Sequence, residues 1–451
     1  MNRRQRIAQI ERRLGKRKLI WYGTRGTDAQ VLLDLPQFSE CFSLIAPLGA
    51  LSLDVEVCLE TMKGLRVDLD AYRIATDPSP EALDFQRRLL DSLGEPAVVT
   101  TYRSDPTFTS MYYPRSDRVE YLGLFHERQA PFEHKPWVET ELKTWDVPTI
   151  PRRYLRQDDT DLLEELLEQG PLVARSTRSD GGEGLTLIRD AQEAETKLPH
   201  YPDQFFSVAP YLAPNIPLNV NAVVFQDETV SIHTPSLQLI GIPGCTTRRF
   251  GYCGNDFASI RDLDGQVLDS LEDITRKAGK WLASMGYLGA FGIDALLHDG
   301  KVYMTEINAR FQGSSHVSSL IDRDSDRPDM FLEHMAAFMG LRAPAPVNMR
   351  EFVAEQQDVS QVICHNCLDV EILRTSNSTT QDERMECALL PAHGIIVAQQ
   401  AILFRVLWRG SVTGDGGRLF TDREPTLREI GGSLFSVSFN DRNDGGAQDV
   451  N

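Results

Sequence analysis

Three polar side chains alternate along residues 301–310, which read as a β-strand: Glu306, Asn308 and Arg310. Successive side chains of a strand point to opposite faces, so these three share one face. Asp294 lies twelve residues before Glu306, on the preceding apolar run. Two carboxylates and an amide oxygen form the hard-oxygen set that Mg²⁺ accepts, and an arginine offers a fork of donors to anionic oxygens. The pattern predicts a hairpin that holds Mg²⁺ on a phosphate ligand.

The turn of this hairpin decides whether its two acids share a face. A two-residue turn of Asp299 and Gly300 would pair residue 294 with 305 and separate the acids. A three-residue loop of residues 298–300, with Gly300 left-handed, would pair 294 with 304 and 292 with 306. That loop puts both acids on one face, and we predict it. An ordinary surface hairpin is the alternative, because short motifs are weak signals.

A second hairpin is predicted over residues 171–188, where two apolar runs flank a polar, glycine-rich turn. Gly181, Gly182 and Gly184 allow backbone N–H groups to approach phosphate oxygens, and Arg175 adds charge at the strand end. The segment does not match the Walker pattern. Glycine is also the default residue of plain turns, so the order of the two hairpins along the chain carries the argument.

Between the hairpins, residues 205–214 form an apolar run that ends in two prolines, and residues 218–225 form another. The series of glycine-rich hairpin, apolar connector, Gly-x-Asp, Glu-x-Asn-x-Arg and a following Gly-Ser-Ser-His resembles the ATP-grasp superfamily. In closer detail it is similar to the carboxylate–amine ligases of that superfamily, including the pheganomycin-type peptide ligases with their own pre-ATP-grasp domain. The resemblance covers residues 122–340 and, more loosely, the N-terminal region.

The resemblance implies an α/β and α+β protein with an ATP-grasp fold, an N-terminal Rossmann-like pre-ATP-grasp domain and a smaller β-rich C-terminal part. The expected domains are residues 1–122, 123–343 and 344–440, with a disordered tail over 441–451. The central domain divides into a glycine-rich hairpin lobe (150–208) and a metal-binding lobe (213–340). Strand-like runs at 18–22, 42–45 and 97–102 alternate with a helix at 80–93, which indicates a parallel sheet. C-terminal strands are expected near 350–354, 394–402 and 404–408.

The resemblance also implies roles for individual residues. Glu306 would bridge two Mg²⁺ ions, Asp294 would hold one and Asn308 the other, with Mn²⁺ as a possible substitute. Arg310 would contact phosphate or the acyl phosphate, and Arg175 would take the place of the usual phosphate-binding lysine. Lys135, or its rival Lys143, would be a further nucleotide contact. The glycine-rich tip would bind phosphate through Gly181, Gly182 and Gly184, and adenine would be bound by the connector of Ala209, Pro210, Tyr211 and Leu212.

The substrate side is less defined. Gly292 stands where D-alanine ligase-like proteins have an oxyanion-donating arginine, so the resemblance assigns that role to Arg248 or Arg249. Their segment, residues 244–255, either faces the carboxylate substrate or is a solvated basic loop. Gly313, Ser314, Ser315 and His316 either close over the acceptor amine or cap the next helix.

The function implied is an ATP-dependent ligase that activates an amino acid or peptide carboxylate as an acyl phosphate and couples it to an amine. ADP and phosphate leave, and the expected setting is small-molecule biosynthesis. The alternatives are another ATP-grasp ligase, either carboxylase-like or phosphoribosylamine-ligase-like, and a nucleotide-binding module without turnover. Intact ligands favour an enzyme, although a fold alone does not prove chemistry.

Composition narrows the partners. The 451 residues carry a net charge of −18, which argues against nucleic acid and anionic membrane as partners. No apolar run reaches the length of a spanning helix, so we expect a cytoplasmic protein, with a homodimer as the commonest symmetric state. The basic residues 2–17 predict a helix packed on the first domain. Cys364, Cys367, Cys387 and His393 have zinc-like spacing, but their apolar neighbours favour buried thiols.

Overall fold

The computed structural model describes residues 1–46, 56–156, 159–176, 182, 184–198, 205–376 and 381–437. Gly181 and the tail predicted over 441–451 lie outside these ranges. The helices in them are α1 Arg3–Leu14, α2 Leu59–Lys63, α3 Pro80–Ser92, α4 Pro106–Tyr112, α5 His126–Gln129, α6 Lys135–Lys143, α7 Thr160–Glu168, α8 Ala191–Lys197, α9 Gly265–Ser284, α10 Ser315–Asp324, α11 Met330–Phe338, α12 Met349–Glu355 and α13 Arg423–Leu434. None of them is long and apolar enough to cross a membrane.

The N-terminal region forms the predicted parallel sheet. Its strands, in spatial order, are β3 Glu56–Cys58, β2 Phe38–Ile45, β1 Lys18–Arg25, β5 Ala97–Thr101 and β6 Val119–Leu122. Every neighbouring pair among them is parallel. Both sheet faces are covered, and β5 is buried at all five of its positions, as parallel strands usually are. The carboxyl end of β1 contacts the central region, where Arg25 donates from Nη2 to the Gln312 carbonyl at 3.1 Å.

The glycine-rich region forms a small antiparallel sheet. Its order is β7 Arg153–Leu155, β10 Phe206–Pro210, β8 Leu172–Arg175 and β9 Leu185–Ile188. Its apolar face packs with α7 and α8 around Leu163, Ile188 and Ala194. The two hairpin strands predicted over 171–188 are therefore present, and β10 leads out of this sheet into the next one.

The largest sheet runs through the rest of the chain. Its order is β16 Lys301–Asn308, β15 Gly289–His298, β11 Ile216–Val224, β13 Ser236–Ile240, β14 Tyr252–Asp256, β17 Val359–His365, β22 Ile402–Arg409, β20 Met385–Ala388 and β19 Gln381–Asp382, with β12 Val230–Ile232 paired to β11. Helix α9 covers one face and buries Leu271, Ile274 and Trp281 in the main core. The C-terminal strands extend this sheet through the pairing of β14 with β17.

One predicted C-terminal strand is wrong. Residues 350–354 lie in helix α12, where the Asn348 side chain accepts from the Arg350 N–H at 2.9 Å as an N-cap. The segment is too short for its apolar pattern to distinguish a strand from a helix. The N-cap at Asn348 favours the helix. A further small sheet, in the order β23 Phe435–Val437, β18 Ile372–Arg374, β21 Ile396–Val397 and β4 Leu65–Arg66, brings an N-terminal segment into the C-terminal part.

The basic N-terminal helix α1 packs mainly on α11 of the central region rather than on the first domain alone. Arg6 is fully buried and binds Glu333 with Nε and Nη2, at 2.9 and 3.1 Å. Arg3 binds the buried Asp329 at 3.0 Å. Ile10 and Leu14 share a core cluster with the apolar side of α11. Two of the basic side chains thus neutralise internal acids.

The cysteines do not gather as the zinc spacing suggested. Cys364 lies on β17 with its Sγ atom 3.8 Å from Sγ of Cys245, and both are buried. Burial raises the pKa of the Cys387 thiol to about 12. Among the described residues, no three His, Cys, Asp or Glu side chains form a metal-binding group.

His334 on α11 makes the stability of the fold depend on pH. Its Nδ1 accepts from the Ala290 N–H and its Nε2 donates to the Leu122 carbonyl, both at 2.9 Å, so the buried ring is neutral. Burial lowers its pKa to about 4. The pKa of the folded state is thus below the unfolded value of about 6.5. The contribution of the neutral ring to the free energy of unfolding is therefore complete above pH 6.5 and decreases as the pH falls towards 4, by up to about 3 kcal/mol.

We expect urea unfolding between pH 7 and pH 4 to include this loss. In His334→Gln the number of protons taken up on unfolding over this range should be lower by about one, because the amide keeps polar atoms but does not titrate. His316 and His365 also have pKa values lowered by burial and add to this slope. Glu333, Glu56 and Asp294 contribute in the opposite sense, because burial raises their pKa values to about 7, 7 and 6 and the folded state then binds their protons first. An unchanged slope in the variant would contradict this assignment.

Candidate functional site

The Asp294–Glu306 hairpin is present, but its predicted turn is wrong. His298 pairs with Lys301 across a two-residue turn in which Asp299 and Gly300 both have positive φ, 48° and 73°. This is the primed turn that matches strand twist. The pairing then slips by one residue, because Thr305 is an extra residue between Met304 and Glu306. This β-bulge sets Asp294 directly opposite Glu306, so the acids share a face by a different route from the predicted loop.

The bulge also joins two parts of the molecule. Arg175, at the end of β8, donates from Nη1 to the Thr305 carbonyl at 3.0 Å. Its Nη2 binds the carboxylate of Glu139, which also binds Arg152 at 3.0 Å and the Tyr154 hydroxyl at 2.9 Å. Arg175 is therefore held at the strand end where the sequence placed it, and Arg152 is a second cation that the sequence analysis missed.

Asp294 is buried in a shell of side-chain amides. Its Oδ1 accepts from Asn219 at 2.7 Å and from Gln238 at 2.8 Å, and its Oδ2 accepts from Asn308 at 3.0 Å. Because the Asn308 nitrogen donates to Asp294, the Asn308 oxygen remains for another ligand. Burial, and then the charge of Glu306, raise the pKa of Asp294 to about 6. Two acids that repel each other in this way are relieved by a bound cation.

Cations flank Glu306 on the same floor. Lys135, at the start of α6, lies with Nζ 3.3 Å from Oε1 of Glu306 and is buried. Arg310 lies with Nε 3.5 Å from Oε1 of Glu133 and donates from Nη1 to the Phe311 carbonyl at 3.1 Å. The rival Lys143 sits at the far end of α6 and does not line the cavity. The cavity floor thus has negative side chains for a metal ion and positive side chains for phosphate.

These side chains form the floor of a cavity of 1030 Å³. The predicted residues on its wall are Lys135, Arg175, Gly182, Ala209, Pro210, Tyr211, Leu212, Arg249, Asp294, Glu306, Asn308, Arg310, Gly313 and Ser314. The connector after β10 therefore opens onto the same space as the two acids. Tyr211 lies under the Arg249 guanidinium, 5.9 Å from ring centroid to Cζ.

The glycine-rich tip approaches the 244–255 segment closely. Gly182 has φ +80°, and a Cβ there would meet the Phe250 carbonyl at 2.0 Å. Glycine is therefore required where the tip closes on this segment. Gly184 also has positive φ, 74°, but is not on the cavity wall. The tip and Arg249 thus lie on the same side of the cavity.

Three predicted substrate-side residues are engaged elsewhere. Arg248 binds Asp68 and Asp70, both at 2.7 Å, and does not line the cavity, whereas the two acids do. Ser315 binds Asn221 at 2.9 Å. The His316 ring contacts Gln30 and Arg405, both at 3.1 Å. Ser314 is on the wall and donates to Asn219 at 2.7 Å instead of capping α10.

Gln312 explains why residue 292 is glycine. A Cβ at Gly292 would lie 0.8 Å from the Gln312 side-chain nitrogen, so the Gln312 amide occupies the space above Gly292. Its oxygen accepts from Asn219 at 2.6 Å, which holds Asn219 on Asp294. An arginine at residue 292 does not fit beside this amide. The sequence analysis missed Asn219 and Gln238, which lie on β11 and β13, and also Gln312, which lies between Arg310 and Gly313 but beyond the alternating strand.

Gly292→Ala is expected to weaken Mg²⁺ activation of ATP consumption by about 10–100-fold, the usual effect of losing a supporting contact behind a metal ligand. The added methyl group must displace Gln312 and release Asn219 from Asp294. Titration of activity with Mg²⁺ measures this. Gly432→Ala is the control, since nothing lies within 4 Å of a Cβ there. An equal Mg²⁺ requirement in both variants would mean that Gln312 does not support the metal ligands.

Both ends of the chain complete the cavity wall. Arg25, Asp68, Tyr102 and Arg103 contribute from the N-terminal region. Ile363, His365, Ile402 and residues 415–418 contribute from the C-terminal part. Helical and strand periodicity cannot show such long-range proximity, so none of these residues was predicted.

Known proteins support the fold. Residues 138–314 match the family model described as the ATP-grasp domain. No curated protein sequence matches the chain. Among solved structures, the biotin carboxylase–β,γ-ATP complex of Campylobacter jejuni is 12% identical with a TM-score of 0.61, covering 93% of this chain and 92% of that one.

Two further structures show the same similarity. The biotin carboxylase domain of Hydrogenobacter thermophilus 2-oxoglutarate carboxylase, with MgADP, ADP and bicarbonate, is 12% identical with a TM-score of 0.62, covering 93% and 90% of the two chains. Carboxyaminoimidazole ribonucleotide synthase of Aspergillus clavatus, with ATP, is 14% identical with a TM-score of 0.55, covering 92% and 97%. The chain thus has an ATP-grasp fold with a parallel N-terminal sheet and β-rich sheets beyond it, which confirms the predicted fold class.

Proposed function

We propose that the protein is an ATP-dependent, ADP-forming ligase that phosphorylates a substrate carboxylate and transfers the acyl group to an amine. The observation that carries this proposal is the pairing of Asp294 with Glu306 on the cavity floor, with the Asn308 amide beside them and Lys135 on Glu306. A protein that only bound nucleotide would not need two partly buried acids in direct opposition, because their repulsion has a cost.

The donor set fits Mg²⁺. Asp294 and Glu306 offer carboxylate oxygens, and Asn308 offers an amide oxygen. Burial and the charge of Glu306 raise the pKa of Asp294 to about 6, so a bound cation would favour its ionised form. When bound, Mg²⁺ would supply charge neutralisation on the phosphates. The cavity of 1030 Å³ has room for a nucleotide and a small substrate together.

The remaining residues have distinct roles in the proposal. The backbone of the connector at Tyr211 and Leu212 would hold adenine by main-chain hydrogen bonds. Arg175, Lys135 and Arg310 would attract the phosphates, and Arg310 would hold the acyl phosphate. In the first step the carboxylate oxygen attacks the γ-phosphorus and the bond to ADP breaks. In the second, the amine attacks the acyl carbon, phosphate leaves, and the amine loses a proton.

Exclusion of water is the role of the glycine-rich tip. An acyl phosphate hydrolyses if water reaches it, so the cavity must close during the reaction. The close approach of Gly182 to the Phe250 carbonyl supports this role. Arg249, beside it, is the better candidate for the donor missing at residue 292, since Arg248 is held by Asp68 and Asp70.

For the substrate, the resemblance supports an amino acid or peptide carboxylate. A second candidate is carboxylase-like, with bicarbonate as the acid. It is favoured by the structural similarity to biotin carboxylase, which extends over 93% of the chain and so includes the C-terminal part. Both candidates share the first step and differ only in the acid.

Hydroxylamine trapping tests the shared step. Purified protein with MgATP and hydroxylamine is given each amino acid, short peptides or bicarbonate, and hydroxamate and ADP are measured. Acid-dependent hydroxamate with equal ADP, lost in Asp294→Asn, supports the ligase. ADP release that requires bicarbonate and no other acid supports the carboxylase-like candidate. ADP release that no acid stimulates, or AMP instead of ADP, would overturn the proposal.

A further inference from the structure

Arg25 is a buried cation on the cavity wall, at the end of β1. Only 6% of the residue is exposed. Its Nε and Nη2 bind Oδ2 of Asp28 at 3.2 and 3.1 Å, and Nη2 also donates to the Gln312 carbonyl at 3.1 Å. The guanidinium lies 5.2 Å from the Tyr102 ring centroid. These contacts fix the guanidinium and leave Nη1 as the nitrogen that can donate into the cavity.

A second buried arginine stands behind Arg25. Arg405 on β22 is 1% exposed, its Nη2 contacts the His316 ring at 3.1 Å, and its Nε has no hydrogen-bond partner among the described residues. Burial, and then the charge of Arg25, lower the pKa of Arg405 to about 10. Of the two carboxylates that offset this, Asp28 acts more strongly than the exposed Glu386.

The buried charges therefore do not balance. Among the described residues, Arg25 and Arg405 bring two positive charges and Asp28 brings one fully buried negative charge. Despite burial, Asp28 raises the pKa of Arg25 and keeps it charged, so the deficit of negative charge falls on Arg405. Burial also lowers the pKa of His316 well below its usual value, so its ring adds no compensating charge of either sign. A buried excess of one positive charge is costly unless an anion offsets it. The cavity is the open space from which such an anion can reach Arg25.

This cationic point lies close to the proposed reaction centre. Gln312 accepts from Arg25 with its backbone carbonyl and from Asn219 with its side chain, at 3.1 and 2.6 Å. Asn219 in turn binds Asp294 at 2.7 Å. Only two residues thus separate Arg25 from a proposed metal ligand. A substrate that has an anionic group at Arg25 and a reacting group at the proposed metal ligands must therefore be a small molecule.

We propose that Arg25 binds the free carboxylate of an amino-acid substrate, the carboxylate that is not activated. This assignment rests on the proposed function and names its substrate class: an amine that also carries a carboxylate, rather than a simple amine. A carboxylate matches the single excess charge, whereas a phosphate monoester would bring nearly two negative charges to one available nitrogen. Asp28 positions Arg25 and competes with the substrate carboxylate for it.

Thermal unfolding with MgAMP-PNP bound tests this without turnover. The probes are the twenty L-amino acids, their carboxamides and phosphoethanolamine. At least one amino acid should raise the melting temperature, with its carboxamide binding about 10–100-fold more weakly because a charge-assisted hydrogen bond is lost. Arg25→Gln should lose that preference. Asp28→Asn should keep it or bind the amino acid more tightly, because the competing carboxylate is gone.

Opposite effects of the two variants separate substrate binding from a structural role, since a structural ion pair would suffer from both changes. If Arg25→Gln does not fold, Asp28→Asn and the wild type still compare acid with carboxamide. Equal binding of acid and carboxamide, no stabilisation by any amino acid, or stabilisation by phosphoethanolamine alone would overturn the assignment. Acid-selective binding without ADP release would instead keep the subsite and remove the ligase.

Discussion

Glu306→Gln is expected to lower the rate of ADP release by on the order of a thousandfold, the largest effect of any single change to the cavity floor. The amide keeps the shape of the side chain but has no charge with which to hold cations. It also leaves Lys135, now 3.3 Å from a carboxylate oxygen, beside a neutral group. Binding of ATP without metal should change far less, because the connector is untouched.

The readout is ADP formed at saturating ATP over a series of Mg²⁺ concentrations. Glu351→Gln is the matched control, because Glu351 is exposed on α12 and does not line the cavity. It should behave as the wild type does. A Glu306→Gln protein with near-normal turnover at ordinary Mg²⁺ would mean that the hairpin is structural and that the metal is held elsewhere.

Arg6→Met is expected to destabilise the fold by about 3–5 kcal/mol, because Glu333 loses its charged partner in the core and must either stay charged or take up a proton. Neither side chain of this pair is exposed. Burial already raises the pKa of Glu333 to about 7 despite Arg6, so the unpaired carboxyl would take up a proton. Urea unfolding followed by circular dichroism measures the loss.

The double variant Arg6→Met, Glu333→Leu should recover most of the stability, since an apolar pair of similar size often replaces a buried ion pair without loss. Arg4→Met on the same helix is the control, because Arg4 is exposed. If Arg6→Met were no worse than Arg4→Met, α1 would not be anchored by this pair.

Local pattern in the sequence predicts the two hairpins and the parallel N-terminal sheet, and the resemblance to the ATP-grasp superfamily predicts the fold class. Alternation at Glu306, Asn308 and Arg310 identifies the strand, and apolar runs identify the parallel N-terminal sheet. The register of the Asp294–Glu306 hairpin could not be predicted, because two irregularities offset each other. The two-residue turn at Asp299 and Gly300 shifts the pairing, and the bulge at Thr305 restores it.

Residues that meet only through the fold could not be predicted either. Gln238 comes from β13 and Asn219 from β11, and neither has a motif that marks it. The C-terminal part was predicted to be rich in β-strands, but the pairing by which β17 continues the central sheet could not be predicted. Arg25 ends a strand in the first domain, and only the packing of that domain brings it to the cavity. The proposed metal ligands lie within one short stretch of sequence, but most of the side chains that hold them come from distant parts of the chain.

The most direct test of the central proposal is to give the protein MgATP with pairs of amino acids and measure ADP, AMP, phosphate and pyrophosphate separately. We expect ADP and phosphate in equal amounts, formed only when an acid and an amine acceptor are both present and lost in Glu306→Gln. AMP and pyrophosphate as products would contradict activation as an acyl phosphate, and tight ATP binding with no product from any pair would contradict the enzyme itself.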